Sequence, residues 1–190
     1  MNLNELRDKA YQCAVTHGWH EENLSDEHSL CLVISELMEA VEADRKGKHA
    51  DTIHFNQEMD YCLRELKVYG ENYDKAFVDM FEYYIKDSVE DELSDACIRL
   101  LDLAGLGGRD LDGSDYEGSD TEDYSEMSFT ESIFKICIYI TDNFYRHELF
   151  ILLNEIFAFC QGRNINIFWH IEQKMKYNEL RPYKHGNKTY

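Results

Sequence analysis

Two short acidic motifs lie within apolar helix patterns of this chain. The first is Glu36-x-x-Glu39, and the second is Glu92-x-x-Asp95. Because an α-helix turns about 100° per residue, carboxylates three positions apart lie on one face of their helix. Two helices that turn such pairs toward one point would gather four negative charges, which repel one another unless a hard divalent cation neutralises them. The spacing therefore predicts a Mg²⁺ site, and Mg²⁺ sites of this kind commonly bind phosphates.

The helical phase of the two motifs is the same. In both helices the acidic pair lies along the same border of the apolar stripe. Arg99 and Asp102 fall within about 80° of Glu92, whereas Glu42 lies farther round its helix and is expected to be solvated. For either pair alone, acidic residues that merely flank a core face are the ordinary alternative. The matching phase of both pairs favours a shared site.

Composition and charge restrict the class of protein. The chain has 190 residues, which suits a single domain over 1–190, and a formal net charge of −19, which argues against a nucleic-acid-binding surface. Six scattered cysteines without C-x-x-C spacing predict reduced thiols in a cytoplasmic protein. We expect neither a secretory signal nor a membrane span, because the sequence contains no long apolar run.

Hydrophobic periodicity predicts an all-α protein. The expected helices cover about 3–16, 26–46, 57–68, 73–86, 88–104, 129–144, 148–161 and 165–180. The single proline, Pro182, leaves long helices uninterrupted. We interpret 47–87 as a helical insertion. The segment 107–128 contains eight acidic residues and one arginine and is predicted to be an acidic flexible loop.

The C-terminal end is basic, against the trend of the chain. Lys174, Asn178 and Arg181 share one helical face, and Lys184 and His185 follow in the tail. Cations and an amide on one face suit phosphate oxygens. Complementation of the helix dipole and a simple solvated face explain the same spacing equally well.

Taken together, these residues resemble the MazG-like nucleoside triphosphate pyrophosphohydrolases of the all-α NTP pyrophosphatase superfamily. The family pattern E-E-x-x-E, followed later by E-x-x-D, is similar to Ser35-Glu36-x-x-Glu39 and Glu92-x-x-Asp95. The resemblance covers about 15–46, 88–104 and 165–188. Two departures stand out, since Ser35 replaces the first glutamate of the pattern and the connection between the two motifs is longer than in the family.

The resemblance implies a helical bundle, usually dimeric or tetrameric, that hydrolyses NTPs or dNTPs to the monophosphate and pyrophosphate. In this interpretation Glu36, Glu39, Glu92 and Asp95 hold one or two Mg²⁺ ions, with Mn²⁺ as a substitute. Glu36 or Glu39 also orients the attacking water. The expected substrate-binding residues are Trp19, Arg99, Lys174, Asn178, Arg181, Lys184 and His185.

Several alternatives remain open from the sequence. Trp19 would stack on the base or serve only as a hydrophobic plug. A non-catalytic acidic interaction protein, such as a DNA mimic that uses 107–128, would share the composition. A phosphohydrolase acting on another diphosphate would share the metal site. The pattern His17-x-x-His20 has no obvious partner motif, so we interpret both histidines as surface residues.

Overall fold

The structure is a computed structural model that describes residues 2–22, 24–111, 121–143 and 149–184. Over these residues every regular element is a helix, so the all-α prediction is confirmed. The helices are α1 (Leu3–Thr16), α2 (Asp26–Arg45), α3 (Thr52–Arg64), α4 (Glu71–Tyr84), α5 (Val89–Leu106), α6 (Thr121–Glu126), α7 (Phe129–Asn143), α8 (Leu149–Gly162) and α9 (Ile167–Glu179). Among the described helices, none combines the length and apolarity needed to cross a membrane.

Helix α5 lies at the centre of the bundle. It packs against α1, α2, α8 and α9, and its Leu93, Ala96 and Leu100 are completely buried. Gly105 allows α1 to approach closely, since a Cβ at this position would lie 2.5 Å from Cβ of Tyr11. The helix that carries Glu92-x-x-Asp95 is therefore fixed from several sides by apolar packing.

Helices α2 and α5 begin where the sequence predicts. The Ser25 side chain accepts a hydrogen bond from the His28 amide at the start of α2. Ser88 does the same for the Asp91 amide at the start of α5. Serine at the N-cap satisfies amides that lack a partner within the helix, and this fixes the register of both acidic motifs.

The segment 47–87 folds into a hairpin of α3 and α4 with an apolar cluster of its own. Phe55, Phe77 and Phe81 are buried there, and Tyr177 of α9 stacks on Phe81 with ring centroids 4.4 Å apart. Helix α3 begins at Thr52, five residues before the predicted start, because the Asp51 side chain caps it by accepting a hydrogen bond from the His54 amide.

The prediction of an acidic flexible loop over 107–128 is wrong at its C-terminal end. Residues Thr121–Glu126 form α6, and Tyr124 is completely buried where its ring meets Phe159 edge-on. The Tyr124 hydroxyl donates a hydrogen bond to the buried Glu155 carboxylate. A buried aromatic residue with a hydrogen-bonded hydroxyl anchors this part of the segment. Residues 112–120 lie outside the described residues.

A buried histidine makes the stability of the fold depend on pH. His170 of α9 is 5% exposed, and burial lowers its pKa from 6.5 to about 4, with a small opposing effect of Glu90. Between pH 6.5 and 4 the unfolded chain takes up a proton at His170 that the folded chain does not. Stability is therefore lost as the pH falls through this range.

We expect His170→Met to remove this loss, because methionine fills similar volume without a titratable group. Relative to the wild type, the variant should gain roughly 2 to 3 kcal/mol of unfolding free energy on going from pH 7 to pH 4. Urea unfolding at several pH values measures the change. Parallel pH profiles for the two proteins would contradict the burial argument.

Candidate metal centre and adjoining cavity

Three carboxylates meet where α2 packs on α5. One oxygen each from Glu36, Glu39 and Glu92 can be chosen so that all three lie within 4.8 Å of one another. Glu36 and Glu92 are buried at 7% and 6% exposure, whereas Glu39 is exposed to solvent. The two acidic motifs therefore converge, and carboxylate oxygens at this spacing are the ligands that Mg²⁺ and Mn²⁺ take.

Burial and crowding disturb the titration of Glu36 and Glu92. Burial, together with the charges of Asp91 and Asp95, raises the pKa of Glu92 to about 8, against the opposing effect of Lys174. Burial and the charge of Asp95 also raise the pKa of Glu36, against the opposing effect of Arg99. These two carboxylates thus lack enough positive charge to stay ionised easily, which is the electrostatic situation that a bound cation would correct.

Asp95 lies beside this group, and its carboxylate is held by a buried lysine. Lys174 Nζ lies 2.8 Å from Asp95 Oδ2 and 2.8 Å from Asp91 Oδ1. The side chain of Asp91 is fully buried, and its Oδ2 also accepts a hydrogen bond from the Asp87 amide. Asp95 is absent from the compact trio of Glu36, Glu39 and Glu92, although it faces the same cavity.

Asp87, Asp91 and Glu92 form a second carboxylate group, again with one oxygen each within 4.8 Å of the others. Glu92 is thus common to both groups. The sequence analysis missed Asp87 and Asp91. Asp91 stands in the first turn of a helix, where an acidic residue is ordinary, so its burial under Lys174 was not visible in the sequence.

A cavity of about 660 Å³ opens over the carboxylates and extends between α1, α2, α5 and α9. The sequence-predicted site residues that line it are Trp19, Glu36, Glu39, Glu92, Asp95, Arg99, Lys174, Asn178, Arg181 and Lys184. Ser35, at the position of the missing motif glutamate, also faces the cavity. The remaining predicted residue, His185, lies outside the described residues.

Two of the cations predicted to bind phosphate are already paired with carboxylates. Arg99 Nε donates to Glu36 Oε1 at 2.6 Å, and Lys174 is enclosed by its two aspartates. These contacts hold the carboxylates in place. The spacing in the sequence placed Arg99 on the face of Glu92 and Lys174 on the face of Asn178 and Arg181, but it did not show that carboxylates already engage both cations.

Residues 181–184, the described part of the basic C-terminal end, fold back over the cavity. Lys184 Nζ lies 3.2 Å from Glu21 Oε2, and the Lys184 amide donates to the His17 carbonyl at 3.1 Å. The Arg181 guanidinium stands 5.6 Å from the centre of the Tyr177 ring. These contacts bring Arg181 and Lys184 to the rim of the cavity that contains the carboxylates.

Asn178 also reaches this cavity. Its Oδ1 is buried, and within the described part of the chain it accepts no hydrogen bond. A buried polar atom without a partner is costly, and such atoms are concentrated where a ligand or water completes the bonding. Trp19 lies nearby in the cavity wall and is half-buried.

The interpretation of the two histidines as surface residues is wrong. His17 is 6% exposed, and its ring nitrogens lie 2.8 Å from the Cys13 carbonyl and 3.1 Å from the Arg181 carbonyl. It ties α1 to the C-terminal tail. His20 lines the cavity and pairs with Asp102. The contacts of His17 with Arg181 and of His20 with Asp102 join residues far apart in the sequence, so the spacing gave no signal of them.

The comparisons with known proteins leave the site to be interpreted from its own geometry. No family model, curated protein or solved structure matches this chain. The carboxylate group, the cavity and the basic rim are therefore the observations from which function must be inferred.

Proposed function

We propose that this chain is a Mg²⁺-dependent nucleoside triphosphate pyrophosphohydrolase of the MazG-like type, acting on NTPs or dNTPs. The observation that carries the proposal is the convergence of Glu36, Glu39 and Glu92 at the floor of a cavity whose rim bears Arg181 and Lys184. Negative ligands for a cation and positive groups for an anion then face one space. A metal–triphosphate complex requires that combination.

The donor set fits a hard divalent cation. Glu36, Glu39 and Glu92 would hold it, and Asp95 would complete the set. The ligands are oxygen atoms only, which suits Mg²⁺ with Mn²⁺ as a substitute and does not suit a thiolate-preferring metal. When bound, the cation supplies charge neutralisation at the phosphates and a bound water of lowered pKa.

The remaining groups of the chain bind and orient the substrate. Lys184 and Arg181 offset phosphate charge, with Lys184 exchanging Glu21 for a phosphate oxygen. Asn178 contributes a buried acceptor for a hydroxyl or a metal-bound water. Trp19 stacks on the base. Among the carboxylates, Glu39 is the exposed one, so it is the one best placed to orient the attacking water.

Attack on the α-phosphorus yields the nucleoside monophosphate and pyrophosphate. Product analysis with a panel of NTPs and dNTPs in the presence of Mg²⁺ tests this directly. Pyrophosphate as the released product supports the proposal. Orthophosphate would assign the chain to another class of phosphohydrolase, and no turnover would favour a non-catalytic acidic protein. Size-exclusion chromatography of the same sample tests the accompanying proposal of a dimer or tetramer.

We expect Mg²⁺ to stabilise the folded protein, because a ligand that binds only the native state shifts the unfolding equilibrium. At a concentration a hundredfold above Kd the gain is about 2.7 kcal/mol, which corresponds to a rise in Tm of about 5 to 10 °C. Thermal unfolding with and without Mg²⁺ measures it. NaCl at equal ionic strength is the control, because the net charge of −19 means that screening alone can raise the stability of the protein. An equal rise in NaCl would contradict specific binding.

A further inference from the structure

The charged face of α5 continues beyond the carboxylates. Glu92, Asp95, Arg99 and Asp102 occupy positions that follow one face of the helix, and all four line the cavity. From Glu92 to Asp102 the helix rises about 15 Å. The cavity therefore extends from the proposed metal centre over a span comparable with that of an extended nucleotide.

The cavity that contains Asp102 also has an apolar lining. Its apolar residues come from α1, from the segment before α2, from α2 and from α5, and include Ala10, Cys13, Ala14, Leu24, Leu32, Ile98, Leu103 and Leu106. Trp19 lines the same cavity. An apolar cleft with an aromatic ring and a few fixed polar groups is the usual setting for a flat heterocycle.

A fixed polar pair, His20 and Asp102, lines the same cavity. His20 Nε2 lies 2.8 Å from Asp102 Oδ1, and the side chains of His20 and Asp102 are 19% and 24% exposed. The His20 ring is further held by Tyr11, with ring centroids 5.1 Å apart. Both side chains are thus fixed in orientation while a fraction of each remains open to the cavity.

The hydrogen bond between His20 and Asp102 favours the charged form of each side chain. Its hydrogen bond with Asp102 raises the pKa of His20, more than burial lowers it. Burial raises the pKa of Asp102, and His20 and Arg99 oppose that effect. His20 therefore helps to hold a negative charge on a partly buried side chain.

We propose that Asp102, oriented by His20, selects nucleotides whose base carries a 4-amino or 6-amino group, namely cytosine or adenine. This inference rests on the proposed function of the same cavity. Asp102 determines specificity through direct contact with the base, and His20 acts as a positioning residue.

The chemistry of the acceptor gives the direction of selection. An ionised carboxylate only accepts hydrogen bonds, so its Oδ2 pairs with the exocyclic N–H of cytosine or adenine. Uracil and hypoxanthine present a carbonyl oxygen at that position, and two acceptors that face each other form no hydrogen bond. Loss of a hydrogen bond to a charged group lowers binding roughly tenfold to hundredfold.

The test compares two substrate pairs that differ at this exocyclic group, CTP with UTP and ATP with ITP, by kcat/KM in the presence of Mg²⁺. We expect at least a roughly tenfold preference for CTP and for ATP in the wild type. In Asp102→Asn both ratios should fall toward one, because an amide both donates and accepts. Asp79→Asn, an exposed change on α4, is the matched control and should keep the wild-type ratios.

The outcomes separate this inference from the proposed hydrolysis. Hydrolysis of all four nucleotides with equal kcat/KM overturns base selection and leaves the pyrophosphohydrolase proposal intact. If none of the four nucleotides is hydrolysed, calorimetric measurement of their binding decides whether the base subsite exists. A binding preference for CTP and ATP supports the subsite although hydrolysis fails, and equal or absent binding overturns it. If Asp102→Asn fails to fold, the kcat/KM ratios of the wild type for CTP over UTP and for ATP over ITP still test the inference.

Discussion

Glu92→Gln should abolish Mg²⁺-dependent hydrolysis while leaving the fold intact. Glu92 is the carboxylate common to both groups of three, so its loss removes a ligand wherever the cation binds. Changes to groups that only support metal ligands already cost 10- to 100-fold. For a ligand itself we therefore expect a loss of kcat/KM of at least about a hundredfold.

Although Glu92→Gln should lose activity, its folded state should be at least as stable as that of the metal-free wild type. Burial raises the pKa of Glu92 to about 8. Without metal, folding therefore takes up a proton at Glu92 at neutral pH, and stability is lost as the pH rises from about 4.5 to 8. A neutral glutamine avoids this loss. Metal-free Glu92→Gln should unfold at an equal or higher temperature than the wild type at pH 7.5, and Mg²⁺ should no longer raise its Tm.

Glu42→Gln is the matched control for Glu92→Gln. Glu42 lies one turn beyond Glu39 on α2, where it is half-exposed and pairs with Arg45 and Lys46. The change removes one negative charge from the surface without touching the cavity, and both activity and the Mg²⁺ response should be retained. Wild-type turnover by Glu92→Gln, with pyrophosphate as the product, would rule out the proposed metal centre.

Lys174→Met should destabilise the protein by about 3 to 5 kcal/mol. Burial of Lys174 lowers its pKa, but the Asp95 and Asp91 carboxylates outweigh burial and hold that pKa above its usual value. The lysine is therefore charged in the folded protein. Its removal leaves Asp91, which is fully buried, without a counter-charge, and a lone buried charge is far more costly than a missing pair.

A double variant separates the loss of charge balance from the loss of packing. In Lys174→Met/Asp91→Asn the uncompensated charge is removed together with its partner, so a large part of the lost stability should return. Urea unfolding of the wild type, both single variants and the double variant gives the coupling free energy. A cost below about 1 kcal/mol for Lys174→Met, typical of an exposed ion pair, would contradict this account of Lys174.

The helices that carry the candidate site were readable from the sequence. Their apolar residues recur with helical period, and Ser25 and Ser88 cap the two helices that bear the acidic motifs. Local rules of this kind involve residues within one turn of each other, so a sequence contains them completely. To predict that the two motifs converge, one further assumption was needed, namely that α2 and α5 pack with their acidic borders adjacent.

The ion pairs of the site were not readable, because they join distant residues. Lys174 meets Asp91 across 83 positions, and His20 meets Asp102 across 82. In a chain with 38 acidic residues, the charge of a lysine does not specify which carboxylate it will meet. Helix α6 was missed for a related reason, since Tyr124 is ordered by packing against α8 rather than by its own polar surroundings.

The separate anchoring of the α3–α4 hairpin has a practical consequence. Its aromatic rings pack on one another and on Tyr177, while the connection at 65–70 exposes Leu66 and Tyr69. Chain inserted at an exposed connection disturbs little beyond it. A fluorescent label or a fused reporter belongs at this connection, because none of residues 65–70 lines the cavity that contains the carboxylates.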